Sequence, residues 1–170
     1  AALLGSGRLR ALPRPALLGA AAALIALALG AGWLEQRRYL DHRYRDPSFA
    51  TPGLNAAFAW ARDLSGERIG TNATREYPLF GTELANQVEF VGVHRSHGGF
   101  VRAASCAQWR GAVNDGGYDY VVASLDRIQP AGPAFPREAA WTRDRNAEVV
   151  LRQAPTVVFR LRGRLPPSRC

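Results

Sequence analysis

The chain contains no methionine and no lysine; all 22 of its basic residues are arginine. It has two cysteines, Cys106 and Cys170, and three histidines, His42, His94 and His97. So few imidazole and thiol groups exclude most metal centres: His94 and His97 lack a third and fourth ligand, and His42 lies beside an apolar segment. Gly98-Gly99 and Gly116-Gly117 fit neither a Walker pattern nor the dinucleotide fingerprint, and Ser65-Gly66 is no nucleophile elbow. No base is placed by sequence next to Cys106, which reads as a structural thiol rather than a nucleophile. There is no internal repeat and no heptad pattern. The net charge is +8, yet the arginines are scattered with no stripe or nucleic-acid motif, which argues against a nucleic-acid partner. With the excess of Ala and Gly, the all-arginine usage resembles GC-rich coding more than selection for guanidinium chemistry.

What the chain does have is an uncharged run from Pro15 to Leu34. At about 1.5 Å per residue, such a helix spans roughly 30 Å, the thickness of a bilayer's hydrocarbon core. Arg8, Arg10 and Arg14 precede it; Arg37, Arg38, Arg43 and Arg45 follow, with Trp33 and Tyr39 where an aromatic belt lies. The run predicts a transmembrane helix over 15–34, ahead of a leader cleaved near Ala28-Leu29-Gly30 or a buried core helix. Its Ala-rich composition and Gly19, Gly30 and Gly32 suit a helix packed among other spans. Ala1 to Leu4 reads as the tail of an earlier apolar segment, with 1–14 as a basic loop. The chain is therefore expected to be the C-terminal piece of a multi-pass membrane protein. Arginines on both sides leave sidedness open. Arg37 to Arg45 suit anionic lipid head groups or lipid phosphates.

Residues 35–50 read as a charged juxtamembrane linker and 51–165 as one soluble domain. Thr51-Pro52 opens a helix, with Thr as N-cap, and Leu54, Phe58 and Ala61 recur at helical spacing. A short strand follows near Arg68 to Asn72. Gln87 to Val93 alternates as a second strand. Ser105-Cys-Ala-Gln108 is a capping box, and Gly116-Gly117 stops its helix ahead of a strand over Tyr118 to Ser124. A short helix is expected around Arg137 to Asp144, and an extended stretch over Glu148 to Leu151. Thr156 to Arg162 alternates strictly and predicts a half-exposed edge strand. Helices and strands thus alternate, which predicts a small α/β domain with a mostly parallel sheet of about four to five strands.

Candidate chemistry is sparse, and no catalytic, cofactor or metal residue emerges. Tyr77 and Phe80 flank a rigid Pro in a loop and are candidate ligand contacts. Asn86 ends the next turn. Asp126 follows the strand at the sheet edge where α/β ligands bind. Asp119 pairs with it only on paper, since it lies in a strand beside tyrosines. Trp60 and Trp109 sit on apolar helical faces and read as core. Cys106 and Cys170 either pair, in an oxidising compartment, or remain free thiols. Asn72-Ala-Thr74 matches a glycosylation sequon.

Several segments in combination carry a resemblance. They are Trp60-Ala-Arg-Asp-Leu-Ser-Gly66, Arg68-Ile-Gly70, Tyr77-Pro-Leu-Phe-Gly81, Leu84-Ala-Asn-Gln-Val88, Phe90-Val-Gly92, Cys106-Ala-Gln-Trp109 and Tyr118-Asp-Tyr-Val-Val122. After a last membrane span, this order resembles the C-terminal soluble domain of bacterial C-type membrane glycosyltransferases, relatives of the protein mannosyltransferases, over roughly Arg37 to Arg162. The resemblance implies an enzyme that moves a sugar from a polyprenyl-phosphate donor to an acceptor outside the cytoplasm. The general base of such enzymes lies in an early outer loop, so no catalytic residue carries over here. This domain would shape acceptor binding or assembly. The other class of function open to the sequence is a single-span anchored α/β module that binds a ligand or partner without catalysis.

Overall fold

The computed structural model describes residues 14–45, 50–128 and 130–170. The expected basic loop over 1–14 lies almost wholly outside the described residues. The chain divides into an N-terminal unit ending at Arg38 and a second unit, Tyr39–Cys170.

The first helix, α1, runs Arg14–Arg45, 32 residues. It does not stop at Leu34, because Leu34-Glu35-Gln36-Arg37-Arg38 are all good helix formers. The described stretch assigned to a linker is therefore helical as far as Arg45. Leu17–Tyr39 is long and apolar enough to cross a membrane. Its large side chains are exposed all round, including Leu18, Leu24, Ile25, Leu27 and Leu29. A helix apolar on every side has no stable place in water, and lipid or neighbouring spans would cover it.

The second unit is an α/β domain on a five-stranded sheet. Its strands are β1 (Arg68–Thr71), β2 (Gln87–Phe90), β5 (Tyr120–Ser124), β6 (Ala147–Gln153) and β7 (Thr156–Leu161), in the order β2-β1-β5-β7-β6. A separate hairpin joins β3 (Val93–His94) to β4 (Phe100–Val101). β2, β1 and β5 are parallel, as alternating helices and strands predict. β7 and β6 continue the sheet antiparallel. A two-residue turn at Ala154-Pro155 is too short for the crossover that parallel pairing needs.

Helices cover both faces. The helix α2 (Pro52–Ala61) starts at the predicted cap, where Thr51 Oγ1 accepts from Leu54 N at 3.4 Å. It packs Leu54, Ala57, Phe58 and Ala61 against Ile69, Val122 and Val158. On the other face lie α3 (Cys106–Gly116) and α4 (Arg137–Thr142). Trp109 and Val113 pack on Val121, and Ala139 packs on Ala123, Val157 and Phe159. Ser105 caps α3 through Gln108 N at 3.3 Å, but Gln108 Oε1 accepts from Ala104 N rather than from the cap residue's own N–H. Gly117 adopts the left-handed φ of +60° that ends the helix. With a helix on each face, Val121, Val122 and Ala123 are all buried, and β5 loses the alternation of a half-exposed strand.

The strict alternation over Thr156–Arg162 misleads. β7 is an interior strand between β5 and β6, buried from Thr156 to Phe159, and β6 forms the edge. α2 covers the Val158 side and α4 the Val157 and Phe159 side, so both sets of side chains are inside.

The C-terminal segment is strapped to α3. Arg110, 3% exposed, donates from Nε to Trp141 O (2.7 Å), from Nη1 to Pro166 O (2.8 Å) and from Nη2 to Arg143 O (2.9 Å). The buried Asp144 carboxylate lies 3.7 Å from Nη1. Asn114 exchanges two bonds with Leu165, and Cys106 forms a disulfide with Cys170, Cα–Cα 5.7 Å. The domain thus extends past residue 165 to the last residue.

Arg110→Met removes the donors of three carbonyls and leaves Asp144 buried without Arg110. We expect a loss of about 3–5 kcal/mol, read as a fall of roughly 10 °C or more in the thermal midpoint. Arg110→Lys should recover only part, because an ammonium cannot reproduce the guanidinium fork.

Candidate functional site

The four residues singled out in the sequence do not form one site. Tyr77 (41% exposed) and Phe80 lie on a 3-10 turn, Tyr77–Phe80, with ring centroids 5.8 Å apart. Phe80 is half-buried against the α2 side of the core. Asn86 is buried at 3% exposure, and its amide is engaged by the backbone: Oδ1 accepts from Glu67 N (3.3 Å) and Nδ2 donates to Leu79 O (3.2 Å). Its work is to hold the irregular β1–β2 crossover in place. Asp126 accepts from Thr74 N (2.9 Å) and from Arg102 Nη2 (3.0 Å).

Asp126 does lie beyond the C-terminal end of β5, beside β1, where α/β proteins often open a crevice. Here that end is knitted shut. Thr71 Oγ1 donates to Val122 O (3.0 Å), and Asn72 Oδ1 accepts from Ser124 N (2.8 Å). Asn72 is only 1% exposed, so its sequon is closed to glycosylation in the folded chain. Asp119 lies at the other end of β5, and Arg68 N donates to its Oδ2 at 2.9 Å. The two aspartates make no pair. Trp109 is core, its Nε1 donating to Thr142 Oγ1 at 2.8 Å, and Trp60 meets Tyr120 edge-on at 5.0 Å. Cys106 is a disulfide half, which removes it as a free thiol. Among the described residues no group of three or more His, Cys, Asp or Glu side chains is placed to hold a metal ion.

An open concavity among the described residues lies elsewhere. A groove of about 900 Å³ runs between edge strand β2, the β3–β4 hairpin and the exposed side of α3. Its floor is Tyr118, whose ring fits a slot made by two glycines. A Cβ on Gly70 would stand 2.6 Å from the ring, and one on Gly116 only 2.1 Å. Gly70 interrupts β1 because the tyrosine lies against its backbone, the usual meaning of a strand glycine. The slot aims the phenol at β2, where Tyr118 Oη donates to Glu89 Oε2 at 3.2 Å. Arg68 Nη2 stands 3.6 Å from the other oxygen. Burial, then the adjacent Glu89 charge and hydrogen bond, push the Tyr118 phenol up to about 12. Nearby Glu76 is also raised by burial, and its Oε2 is enclosed without a hydrogen-bond partner.

The hairpin supplies the opposite wall. The His94 ring lies 4.3 Å from that of Phe100, which meets Phe90 edge-on at 6.5 Å. His94 thus stands in a ring cluster. Gln108 and Asp115 face the groove from α3. Glu76, Glu89 and Asp115 set three carboxylates against one arginine, Arg68, inside a chain whose net charge is +8. Such a lining can accept hydroxyl hydrogen bonds and offers ring surface. Nothing in the sequence marked this groove; its charged and aromatic members come from five stretches: Arg68, Glu76, Glu89–Phe90, the β3–β4 hairpin and Asp115–Tyr118.

Gly116→Ala should force Tyr118 from its slot and cost about 1–3 kcal/mol, seen as a lower thermal midpoint. Tyr118 also makes stability depend on alkaline pH. Its folded pKa is about 12 against an ordinary 10.0, so the folded state holds a proton that the unfolded state has lost. Stability therefore falls as pH rises from 10 towards 12. The drop in urea midpoint between pH 9 and 11 should be smaller in Tyr118→Phe than in the parent.

No family model, curated protein or solved structure matches this chain.

Proposed function

We propose that the chain is a membrane-anchored part of a multi-span glycosyltransferase that uses a polyprenyl-phosphate-linked sugar, with its α/β domain outside the cytoplasm. The domain serves acceptor binding or assembly and lacks the catalytic loop. The observation that carries the anchored, extracytoplasmic part of this reading is the Cys106–Cys170 disulfide in a chain that also has an exposed apolar helix of spanning length. Disulfides persist in oxidising compartments and are rare in the cytosol. Leu17–Tyr39 needs a lipid or helical environment, and its glycines favour neighbouring spans. The segments quoted above supply the likeness to the glycosyltransferase domain. Asp119, Asp126 and Asp144 are engaged in structural bonds or ion pairs, and the carboxylates of Glu76, Glu89 and Asp115 gather at the groove instead.

The groove favours a second reading, a single-span module that binds a ligand without belonging to a transferase. The coding sequence upstream of Ala1 separates the two. Several further apolar spans with an acidic outer loop support the transferase; a start codon directly before Ala1 supports the module.

Anchoring and sidedness have their own test. In bacterial membranes the chain should resist carbonate extraction, and a bulky maleimide should label it only after reduction. Release into the carbonate supernatant would overturn the anchor, and labelling without reduction would overturn the oxidising compartment.

A further inference from the structure

We propose that the groove on the β2 edge is a saccharide-binding site, read by Glu89 and its two holders, Arg68 and Tyr118. This rests on the anchored, extracytoplasmic reading above only for its setting; the groove chemistry stands on its own geometry.

Glu89 is held from two sides. Tyr118 Oη donates to Oε2 at 3.2 Å and Arg68 Nη2 stands 3.6 Å from Oε1. Its side chain is nevertheless 52% exposed, so lone pairs of the fixed carboxylate remain open to the groove. A carboxylate held in one orientation can accept from two hydroxyls at once, the geometry that neighbouring sugar hydroxyls offer. The holder is itself rigid, because the Tyr118 ring is locked between Gly70 and Gly116. Preorganisation of that kind is what a weak polar ligand needs, since it removes the ordering cost from binding. Across the groove, Phe100 is 52% exposed, and with His94 it offers ring surface to the apolar face of a pyranose. Gln108 adds an amide on the α3 side.

Charge selects among sugars. Three carboxylates against one arginine, itself engaged by Glu89, disfavour a phosphate in the groove. The occupant is therefore a neutral saccharide rather than a sugar phosphate.

The test is saturation-transfer NMR on the full chain, in a detergent without sugar head groups. The probes are methyl mannoside, N-acetylglucosamine and mannose 1-phosphate. We expect saturation of at least one neutral sugar, with millimolar affinity, and at least about tenfold weaker binding of the phosphate. Glu89→Gln should weaken the neutral sugar about tenfold, the scale of a hydrogen bond to a charged group. Tyr118→Phe, which keeps the ring in its slot, should weaken it several-fold. Glu148→Gln on β6 should leave it unchanged. Circular dichroism on each variant checks that the fold is kept. No transfer to either neutral sugar, undiminished binding in Glu89→Gln, or tighter binding of the phosphate would each overturn the site. Any of these results leaves carbonate extraction and thiol labelling unaffected, so failure of the groove and failure of the anchored reading are told apart.

Discussion

Three side chains four residues apart on α3 hold the domain closed. Cys106, Arg110 and Asn114 each take one turn of the helix, and each grips the C-terminal segment: a disulfide to Cys170, a hydrogen bond to Pro166 O, and paired bonds with Leu165. Arg110 reaches further, to the carbonyls of Trp141 and Arg143 at the end of α4. One buried guanidinium thus joins three chain segments that share no ladder hydrogen bonds. A buried charge is tolerable only when its donors are satisfied, and here its hydrogen bonds and Asp144 do so. Without this strap, Trp109 and Leu165, both buried at the second face, would lose their cover.

The groove depends on the same helix. With α3 fixed by its strapped face, its exposed side stands at a set distance from β2. Gly116 at its end and Gly70 in β1 then leave room for one aromatic ring between them. The tyrosine that fills it turns a gap into a floor and brings a hydroxyl to Glu89. Packing and recognition are therefore coupled through glycines, residues that contribute only the absence of a side chain.

Much of the fold was legible along the chain. Thr51, Ser105 and Gly117 mark helix ends by local backbone chemistry, and each does so in the structure. Alternating helices and strands led to a parallel core. The site was less legible. Tyr77 and Phe80 drew attention as loop aromatics, Asn86 and Asp126 as polar groups at element ends. The structure occupies Asn86 and Asp126 with backbone bonds, because polar side chains at element ends are where unpaired N–H and C=O groups must be satisfied. Arg68, Glu89, His94 and Tyr118 looked like ordinary strand and turn residues, since their meaning lies in neighbours many positions away.

Local hydropathy and backbone preference were enough to read the apolar helix, the caps of α2 and α3 and the main alternation of helix and strand. They were not enough for the β3–β4 hairpin, which splits off from the expected Gln87–Val93 strand. Only the tertiary structure decided that β7 is interior and β6 the edge, since alternation cannot tell a solvated face from one covered by a second helix. Only it joined Cys106 to Cys170, because pairing depends on where the chain end returns. And only it assembled the groove, whose chemistry belongs to no single segment but to the space among five.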